Sequence, residues 1–272
     1  MPEPESGVRT VLSGLKIAVL VKQVPETSDV KIDEQTYTLV REGVPSIINP
    51  FDTYAIEESL RIKERHGATV FAISMGPPQA EQALKDCIAL GVDEALLLSD
   101  RAFAGADTLA TAYTLSCAVK RIGADVILCG KQAIDGDTAQ VGPGVAEELD
   151  IPHATYVRKI DINSDHAIVE RLVEGGYEKV RVELPALFTV VKEINEPRLP
   201  SLRGKLRAKN AKVDVLTASD LEVEPGRIGL EGSPTQVIKT FSPEFRTGGE
   251  MLCGQPDEVA KQLIERLEAV LR

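Results

Sequence analysis

The chain is poor in the residues that most often carry metal or nucleophilic chemistry. It has four cysteines, scattered without a CxxC spacing: Cys87, Cys117, Cys129 and Cys253. A zinc site or a disulfide framework is therefore not expected, and a reducing cytoplasm fits best. Its three histidines lie in no recognisable nucleophile motif: His66, His153 and His166. HExxH is absent too, so any catalysis is expected to use the chemistry of a bound cofactor.

The chain also lacks signals for a membrane, for secretion and for nucleic acid. No apolar run approaches the roughly 20 residues that span a bilayer. The net charge of −11 argues against general binding to nucleic acid or to an anionic membrane. Residues 1–14 lack a basic region followed by an apolar one, so we expect a disordered tail rather than a secretion signal. With 43% apolar residues in a length of 272, the remainder can bury a large core.

Apolar runs alternate with helical patterns over the first half of the chain. The runs typical of strands buried on both faces are Leu15–Val21, Ala68–Ser74, Glu94–Leu98 and Asp125–Leu128. The stretches with apolar residues at helical spacing are Phe51–Arg65, Gln79–Leu90 and Asp107–Ile122. Strands and helices in alternation with short links predict an α/β fold, a parallel sheet with helices on both faces.

The pattern changes twice in the second half. Short β-rich stretches separated by turns predict an antiparallel addition to the same domain: Thr155–Ile162, Ala167–Val173, Tyr177–Leu184 and Leu187–Val191. From Asn195 onward the chain has little core pattern until an amphipathic helix at Asp257–Leu271. We therefore expect a tail at residues 1–14, a nucleotide-binding α/β domain at 15–195, and at 196–272 an extended C-terminal arm that packs on another subunit.

Candidate ligand-binding loops lie at one edge of the predicted sheet. Open parallel sheets bind ligands outside the carboxyl ends of their strands. Four loops follow strands there, and the start of the first helix is a fifth candidate: Leu20–Gln23, Ser74–Pro77, Ser99–Thr108, Gly130–Gly142 and Asn49–Asp52. Neither GxGxxG nor GxxxxGK[ST] occurs, so neither a Rossmann fingerprint nor a P-loop is predicted.

The loop "CGKQAIDGDTAQVGP" carries the fullest binding pattern. Asp137 is expected to cap the following helix, with Gln140 as its capping-box partner. Pro143 is awkward deep in a helix and leaves open a start a few residues later. In either case the backbone N–H groups around Thr138–Gly142, with the side chains of Thr138 and Gln140, can hold a phosphate.

Small and acidic residues complete this loop. Gly136, Ala139 and Gly142 let a ligand approach the backbone closely. Asp135 and Asp137 would repel a phosphate, so they are expected to serve ribose hydroxyls or capping instead. A well-capped strand–helix turn without a ligand accounts for the same spacing about equally well.

The loop before the third helix is similar in kind. Gly105 and Ala106 precede Asp107 and Thr108, a capping signal that opens a long helix. Cofactor binding and a plain helix start are equally compatible with this pattern.

These stretches together resemble the β subunit of electron transfer flavoproteins, over essentially the whole chain from Leu15 onward. The matching motifs are "AVLVKQV" (Ala18–Val24), "NPFD" (Asn49–Asp52), "EES" (Glu57–Ser59), "SMGPP" (Ser74–Pro78), "ADTLAT" (Ala106–Thr111), "GKQAIDGDTAQVGP" (Gly130–Pro143) and "NEPR" (Asn195–Arg198). The resemblance implies a heterodimer with a flavin-carrying α subunit, and an adenine nucleotide at the sheet edge of this chain.

The resemblance also implies site residues. Those expected to bind the cofactor are Leu20, Asn49, Asp52, Met75, Ala106, Asp107, Thr108, Gly130, Gln132, Ala133, Asp135, Gly136, Asp137, Thr138, Ala139, Gln140, Val141 and Gly142. The family's recognition loop, which docks a dehydrogenase, falls on residues 198–207, with Leu202 at its apolar anchor. The residues expected to bind that partner are Arg198, Leu199, Leu202, Arg203 and Lys205.

The motif at 135–143 separates two groups within this family. The mitochondrial type, which binds AMP, has roughly "DDDCNQTGQ" where this chain has "DGDTAQVGP". The latter resembles the anaerobic electron-bifurcating group, as do "REGVPSIINP" (Arg41–Pro50) and "LEGSPTQV" (Leu230–Val237). In that group FAD replaces AMP and is reduced by NADH. Gly136 and Ala139 are compatible with a larger ligand whose pyrophosphate lies on the helix start.

The bifurcating resemblance implies two routes for electrons. One electron passes to the α-subunit FAD and on to an acyl-CoA, enoyl-CoA or 2-hydroxy-acid dehydrogenase, and the other to ferredoxin or flavodoxin. The alternatives are an AMP-binding electron carrier and a flavin-free adenine-nucleotide-binding regulatory module. A nucleic-acid role for the basic stretch 198–212 is the least favoured, because it has no aromatic platform.

Overall fold

The computed structural model describes residues 14–26, 46–239, 249 and 251–271. The strands are β1 Lys16–Leu20, β2 Gln23–Pro25, β3 Ser46–Ile48, β4 Thr69–Met75, β5 Glu94–Leu98, β6 Val126–Gly130, β7 His153–Ile162, β8 His166–Val173, β9 Gly176–Glu183, β10 Ala186–Val190 and β11 Asp214–Leu216. The helices are α1 Pro50–His66, α2 Glu81–Leu90, α3 Thr108–Ile122, α4 Val141–Glu148, α5 Leu202–Asn210 and α6 Pro256–Leu271.

One large sheet organises the chain, with the strand order β11-β5-β4-β1-β6-β10-β7-β8-β9. Neighbouring strands from β11 to β7 are parallel. The pairs β7–β8 and β8–β9 are antiparallel, and β2 and β3 form a separate antiparallel pair. The predicted α/β fold with a parallel sheet and an antiparallel addition is therefore confirmed.

The strand β10 corrects one detail of the sequence prediction. The stretch Leu187–Val191 was expected in the antiparallel addition, but β10 lies between β6 and β7 and pairs parallel with both. All five of its residues are buried, which is the pattern of a strand covered on both faces. The antiparallel part is therefore limited to the meander β7-β8-β9.

Helices cover both faces of the sheet, and β1 shows how. Ile17 and Val19 point into a core shared with α1 and α2, whereas Ala18 and Leu20 point into a core shared with α3 and α4. Because successive side chains of a strand alternate between faces, the continuous apolar run of β1 supplies both cores at once. The center of the sheet is thus held from two sides.

Part of the predicted arm belongs to these cores. β11 joins the sheet beside β5, Val213 is buried on the α1–α2 side, and Leu221 and Ile228 are buried on the α3–α4 side. The helix predicted at Asp257–Leu271 is confirmed, one residue longer at its start, as α6. Packing of the arm on a partner stays a prediction, and the tail predicted at 1–14 falls outside the described residues except for Gly14.

No helix in the described ranges is both long and apolar enough to pass through a membrane. No group of three or more histidine, cysteine, aspartate or glutamate residues among the described residues could hold a metal ion.

Candidate functional site

The carboxyl edge of the sheet has a switch point beside β1. From β1 the chain moves outward to β4 and β5, then returns to place β6 on the opposite side of β1. The loops after β1 and β6 start on either side of this point, which is where open α/β sheets bind ligands. The ammonium group of Lys22, after β1, lies 2.7 Å from Oδ1 of Asp135 in the loop after β6. Lys22 was not among the predicted site residues.

Asp52 ties these two loops together from the first turn of α1. Its Oδ2 accepts a hydrogen bond from the backbone N–H of Lys22 (2.8 Å), and its Oδ1 accepts one from that of Gly130 (3.1 Å). The residue is only 5% exposed. Burial raises its pKa from 3.8 to about 7, although the hydrogen bonds oppose this rise. A Cβ atom at Gly130 would lie 2.6 Å from Oδ1 of Asp52, so this close approach requires glycine.

Asn49, the residue before α1, fixes the next part of the loop after β6. Its Nδ2 donates to the carbonyl oxygen of Gln132 (2.9 Å), and its Oδ1 accepts from the N–H of Ile134 (3.2 Å). It is 1% exposed. Asn49 and Asp52 thus direct their polar atoms at the protein's own backbone and shape the loop. Direct contact of either side chain with a cofactor stays a prediction.

The expected N-cap at Asp137 is wrong. α4 begins at Val141 with Gln140 in the N-cap position, the later start that Pro143 had left open. Asp137 instead adopts a left-handed conformation (φ 50°), and its Oδ1 accepts a hydrogen bond of 2.6 Å from Nε2 of Gln132. The later start places Pro143 in the first turn of the helix, where a missing N–H group costs nothing.

Residues 137–142 present a strained loop with free donors. Ala139 is also left-handed (φ 54°), and non-glycine residues in this region cost on the order of 1 kcal/mol or more each and cluster at ligand sites. Among the described residues, no acceptor binds the N–H groups of Val141 and Gly142 in the first turn of α4. These donors, with the positive end of the helix dipole, suit an anionic group.

α4 is held tightly against its neighbours. A Cβ atom at Gly142 would lie 2.7 Å from Cγ2 of Thr189 on β10, and one at Gly144 would lie 2.9 Å from Cβ of Ala112 on α3. No atom of the described residues lies within 4 Å of the position that a Cβ atom would take at Gly136, so these residues leave space beside it. The small residues therefore have two roles. Gly142 and Gly144 allow α4 to pack closely on β10 and α3, and Gly136 adds no side chain at the edge.

The predicted N-cap at Asp107 is confirmed. Its Oδ1 accepts from the N–H groups of Leu109 (2.9 Å) and Ala110 (3.1 Å) at the start of α3. Partial burial of the Asp107 carboxyl raises its pKa. The hydrogen bonds from Thr235, Ala110 and Leu109 outweigh this effect, so the pKa of Asp107 is lowered overall. The next residue, Thr108, donates from Oγ1 to Oε1 of Gln140 (3.2 Å) and so joins the starts of α3 and α4.

The predicted cofactor residues therefore fall into three layers. Leu20 is buried in the core beneath the edge, and Asn49, Asp52 and Gly130 form the buried frame of the loop. The residues at the edge itself, which the fold brings together, are half-buried or exposed: Met75, Ala106, Asp107, Thr108, Gln132, Ala133, Asp135, Gly136, Asp137, Thr138, Ala139, Gln140 and Val141. Among the described residues, this edge therefore combines unbonded N–H donors with small residues, an arrangement that suits an anionic ligand.

The predicted recognition loop contains two kinds of residue. Nε of Arg198 lies 2.7 Å from Oε2 of the buried Glu57, and its guanidinium group also pairs with Glu64. Arg198 is therefore engaged within the chain. Leu199 and Leu202, by contrast, are 90% and 77% exposed, and Arg203 and Lys205 are exposed as well. Their contact with a partner stays a prediction.

The exposure of Leu202 follows from how α5 is anchored. A Cβ atom at Gly204 would lie 2.0 Å from the carbonyl oxygen of Ala89, so α5 rests directly on the end of α2. Arg207 donates to the carbonyl oxygens of Ile88 (2.7 Å) and Val92. The helix thus buries its glycine side and leaves its leucines toward solvent.

The fold and this edge define the class of protein, an open α/β sheet with a candidate nucleotide site at the switch point. A family model described as the electron transfer flavoprotein domain matches residues 36–221. The electron transfer flavoprotein subunit beta of Thermoanaerobacterium thermosaccharolyticum is 55% identical over 256 residues, covering 94% of this chain and 98% of its own length.

Other relatives carry different names. The caffeyl-CoA reductase-Etf complex subunit CarD of Acetobacterium woodii is 49% identical over 257 residues, covering 93% of this chain and 98% of its own length. Protein FixA of Azotobacter vinelandii is 43% identical over 261 residues, covering 93% of each chain. The chain therefore belongs to the electron transfer flavoprotein family, as a β subunit, and has an α subunit as its partner.

Proposed function

We propose that this chain is the β subunit of a bifurcating electron transfer flavoprotein, which binds FAD at the carboxyl edge of its sheet and binds NADH transiently. Electrons pass singly, one to the α-subunit FAD and a dehydrogenase, the other to ferredoxin or flavodoxin, in the cytoplasm. The observation that carries the proposal is the start of α4, where no acceptor among the described residues binds the N–H groups of Val141 and Gly142, together with the absence of any described atom within 4 Å of a Cβ position at Gly136. A bound FAD supplies the redox chemistry, and the chain supplies its placement.

The residues of the loop have distinct roles in that placement. The N–H groups of Val141 and Gly142 hold the pyrophosphate, with the exposed side chains of Thr138 and Gln140 beside them. Lys22, in the loop after β1, pairs with Asp135 and offsets the charge of that carboxylate. This neutralisation lessens the repulsion that a carboxylate would otherwise exert on a phosphate.

The open side of the loop favours FAD over AMP. Gly136 has no neighbour within 4 Å of a Cβ position, and Ala139 presents only a methyl group. Among the described residues, a ligand that extends beyond the first phosphate would therefore meet no side chain within 4 Å of this position. The partner dehydrogenase docks on Leu199 and Leu202, and the name of one relative as a subunit of a caffeyl-CoA reductase complex supports a CoA-ester substrate for that partner.

The nucleotide content of the purified αβ complex tests the proposal. We expect two FAD and no AMP per complex, and flavin reduction by NADH. One FAD with AMP would overturn the bifurcating function and support an AMP-binding electron carrier. Absence of any nucleotide from the β subunit would overturn both functions. Asp137→Ala should lose the β-subunit nucleotide and keep the α-subunit flavin, whereas Asp161→Ala, an exposed aspartate of β7, should lose neither.

A further inference from the structure

A segment of the arm crosses the start of α3. We call residues 229–235 the clasp. Oγ of Ser233 accepts a hydrogen bond of 2.8 Å from the backbone N–H of Asp107 and donates one of 2.7 Å to the carbonyl oxygen of Gly229. Thr235 donates to Oδ2 of Asp107 twice, from its N–H (3.1 Å) and from its Oγ1 (2.8 Å). The clasp therefore contacts Asp107 through both the backbone and the carboxylate.

The carboxylate of Asp107 links the clasp to the cofactor edge. Its Oδ2 takes the two bonds from Thr235, while its Oδ1 caps α3 through Leu109 and Ala110. Thr108, the next residue, donates to the side chain of Gln140, which is the N-cap residue of α4. Hydrogen bonds on either side of the Asp107–Thr108 peptide bond thus connect the clasp to the helix start that is proposed to hold the pyrophosphate.

The clasp is also fixed sterically. Gly229 is left-handed (φ 57°), and a Cβ atom there would lie 2.1 Å from the carbonyl oxygen of Ala102. Gly105 is left-handed too (φ 76°), and its Cβ position lies 3.1 Å from Cβ of Leu230. Both glycines let the clasp lie directly on the turn that precedes α3. The clasp and this turn are therefore expected to move as one unit.

We propose that Ser233 and Thr235 are positioning residues of the cofactor site, which hold Asp107 and, through Thr108 and Gln140, set the start of α4. The proposal rests on the proposed function, because it concerns the same site. Both residues lie in the motif "LEGSPTQV", which carries part of the family resemblance, but neither was among the predicted site residues, and neither needs to touch the cofactor. A hydrogen bond to a carboxylate is stronger than a neutral one, so its loss is large enough to displace the helix start.

Thr235→Val in the αβ complex tests this role, since it removes the Oγ1 donor and keeps the N–H. The chain offers a matched control directly after the edge strand β11, where Thr217 donates from its N–H (2.8 Å) and Oγ1 (2.6 Å) to Oδ2 of Asp220. The measurement is titration of the nucleotide-depleted complex with FAD, followed by flavin fluorescence and by the circular dichroism of the bound flavin.

We expect Thr235→Val to weaken FAD binding about ten- to hundredfold and to change the flavin circular dichroism at saturation. Thr235→Ser, which restores the hydroxyl, should recover both, and Thr217→Val should match the wild type. A changed circular dichroism of the flavin at saturation is a result that a general loss of stability would not give.

Three results would overturn the proposal: unchanged FAD binding in Thr235→Val, an equal loss in Thr217→Val, or no recovery in Thr235→Ser. If Thr235→Val does not assemble, Ser233→Ala takes its place, with a weakened FAD affinity expected and an unchanged one contradicting the role. If the wild-type site binds AMP instead of FAD, the proposed function fails, and calorimetric titrations of the same variants with AMP decide the role of the clasp separately.

Discussion

Replacement of Asp52 by asparagine is the sharpest probe of the frame beneath the cofactor edge. Asp52 accepts from two backbone N–H groups, those of Lys22 and Gly130, while it is almost completely buried. Asparagine has nearly the same shape but only one acceptor oxygen, so one of these N–H groups loses its partner. We expect that loss to cost about 1–3 kcal/mol of the free energy of unfolding, independent of pH.

Asp52 also adds a pH dependence that asparagine lacks. Its pKa is about 7 in the folded protein and 3.8 in the unfolded chain, so the folded state favours the protonated form. The stability that the neutral carboxyl provides is fully present below pH 3.8 and is lost as pH rises to about 7, by about 4 kcal/mol in all. Between about pH 5 and about pH 8, Asp52 should cost the wild type about 3 kcal/mol.

Urea unfolding of the purified chain, followed by circular dichroism at both pH values, measures this difference. The stability of Asp52→Asn relative to the wild type should rise by about 3 kcal/mol between about pH 5 and about pH 8. All other titrating groups are common to the two proteins, so they cancel in the comparison. Parallel loss of stability in both proteins would refute a raised pKa for Asp52.

Two further perturbations concern the predicted recognition loop. Gly204→Ala puts a methyl group 2.0 Å from the carbonyl oxygen of Ala89, so α5 should shift. Electron transfer from the flavin to the dehydrogenase should then fall, while flavin reduction by NADH is unchanged; an equal loss of both rates would contradict a docking role. Arg198→Ala should lower the free energy of unfolding by about 2 kcal/mol, because Glu57 stays buried with less compensation. Lys212→Ala breaks only an exposed pair and should cost less than about 0.5 kcal/mol in the same denaturation assay.

The fold was largely predictable from the sequence because its signals are local. The continuous apolar run of β1 and the capping residue Asp107 each act within a few residues of themselves. The placement of β10 was not predictable in this way. Its five buried residues resemble those of any short apolar strand, and only the parallel pairing with β6 and β7 shows where it belongs.

The location of the candidate site was predicted from the sequence, but the contacts that individual residues make there were not. Asp137 met the sequence rule for an N-cap, yet the loop bends at left-handed residues, and the helix begins later at Val141. The ionic contact of Lys22 with Asp135 and the contact of Thr235 with Asp107 join residues that are 113 and 128 positions apart. Periodicity and capping rules describe neighbours along the chain, so such contacts lie beyond their reach.

The carboxylates of this edge follow a common logic. Asp52 and Asp107 were expected to bind the cofactor, but each accepts hydrogen bonds from backbone N–H groups of two separate segments. A carboxylate near a phosphate is repulsive, whereas one that organises backbone donors leaves other N–H groups free to face the ligand. The acidic residues are therefore compatible with an anionic cofactor because they shape the loops that carry the donors at Val141 and Gly142. Removing such a carboxylate should then affect nucleotide binding through the position of these donors, not through a lost contact.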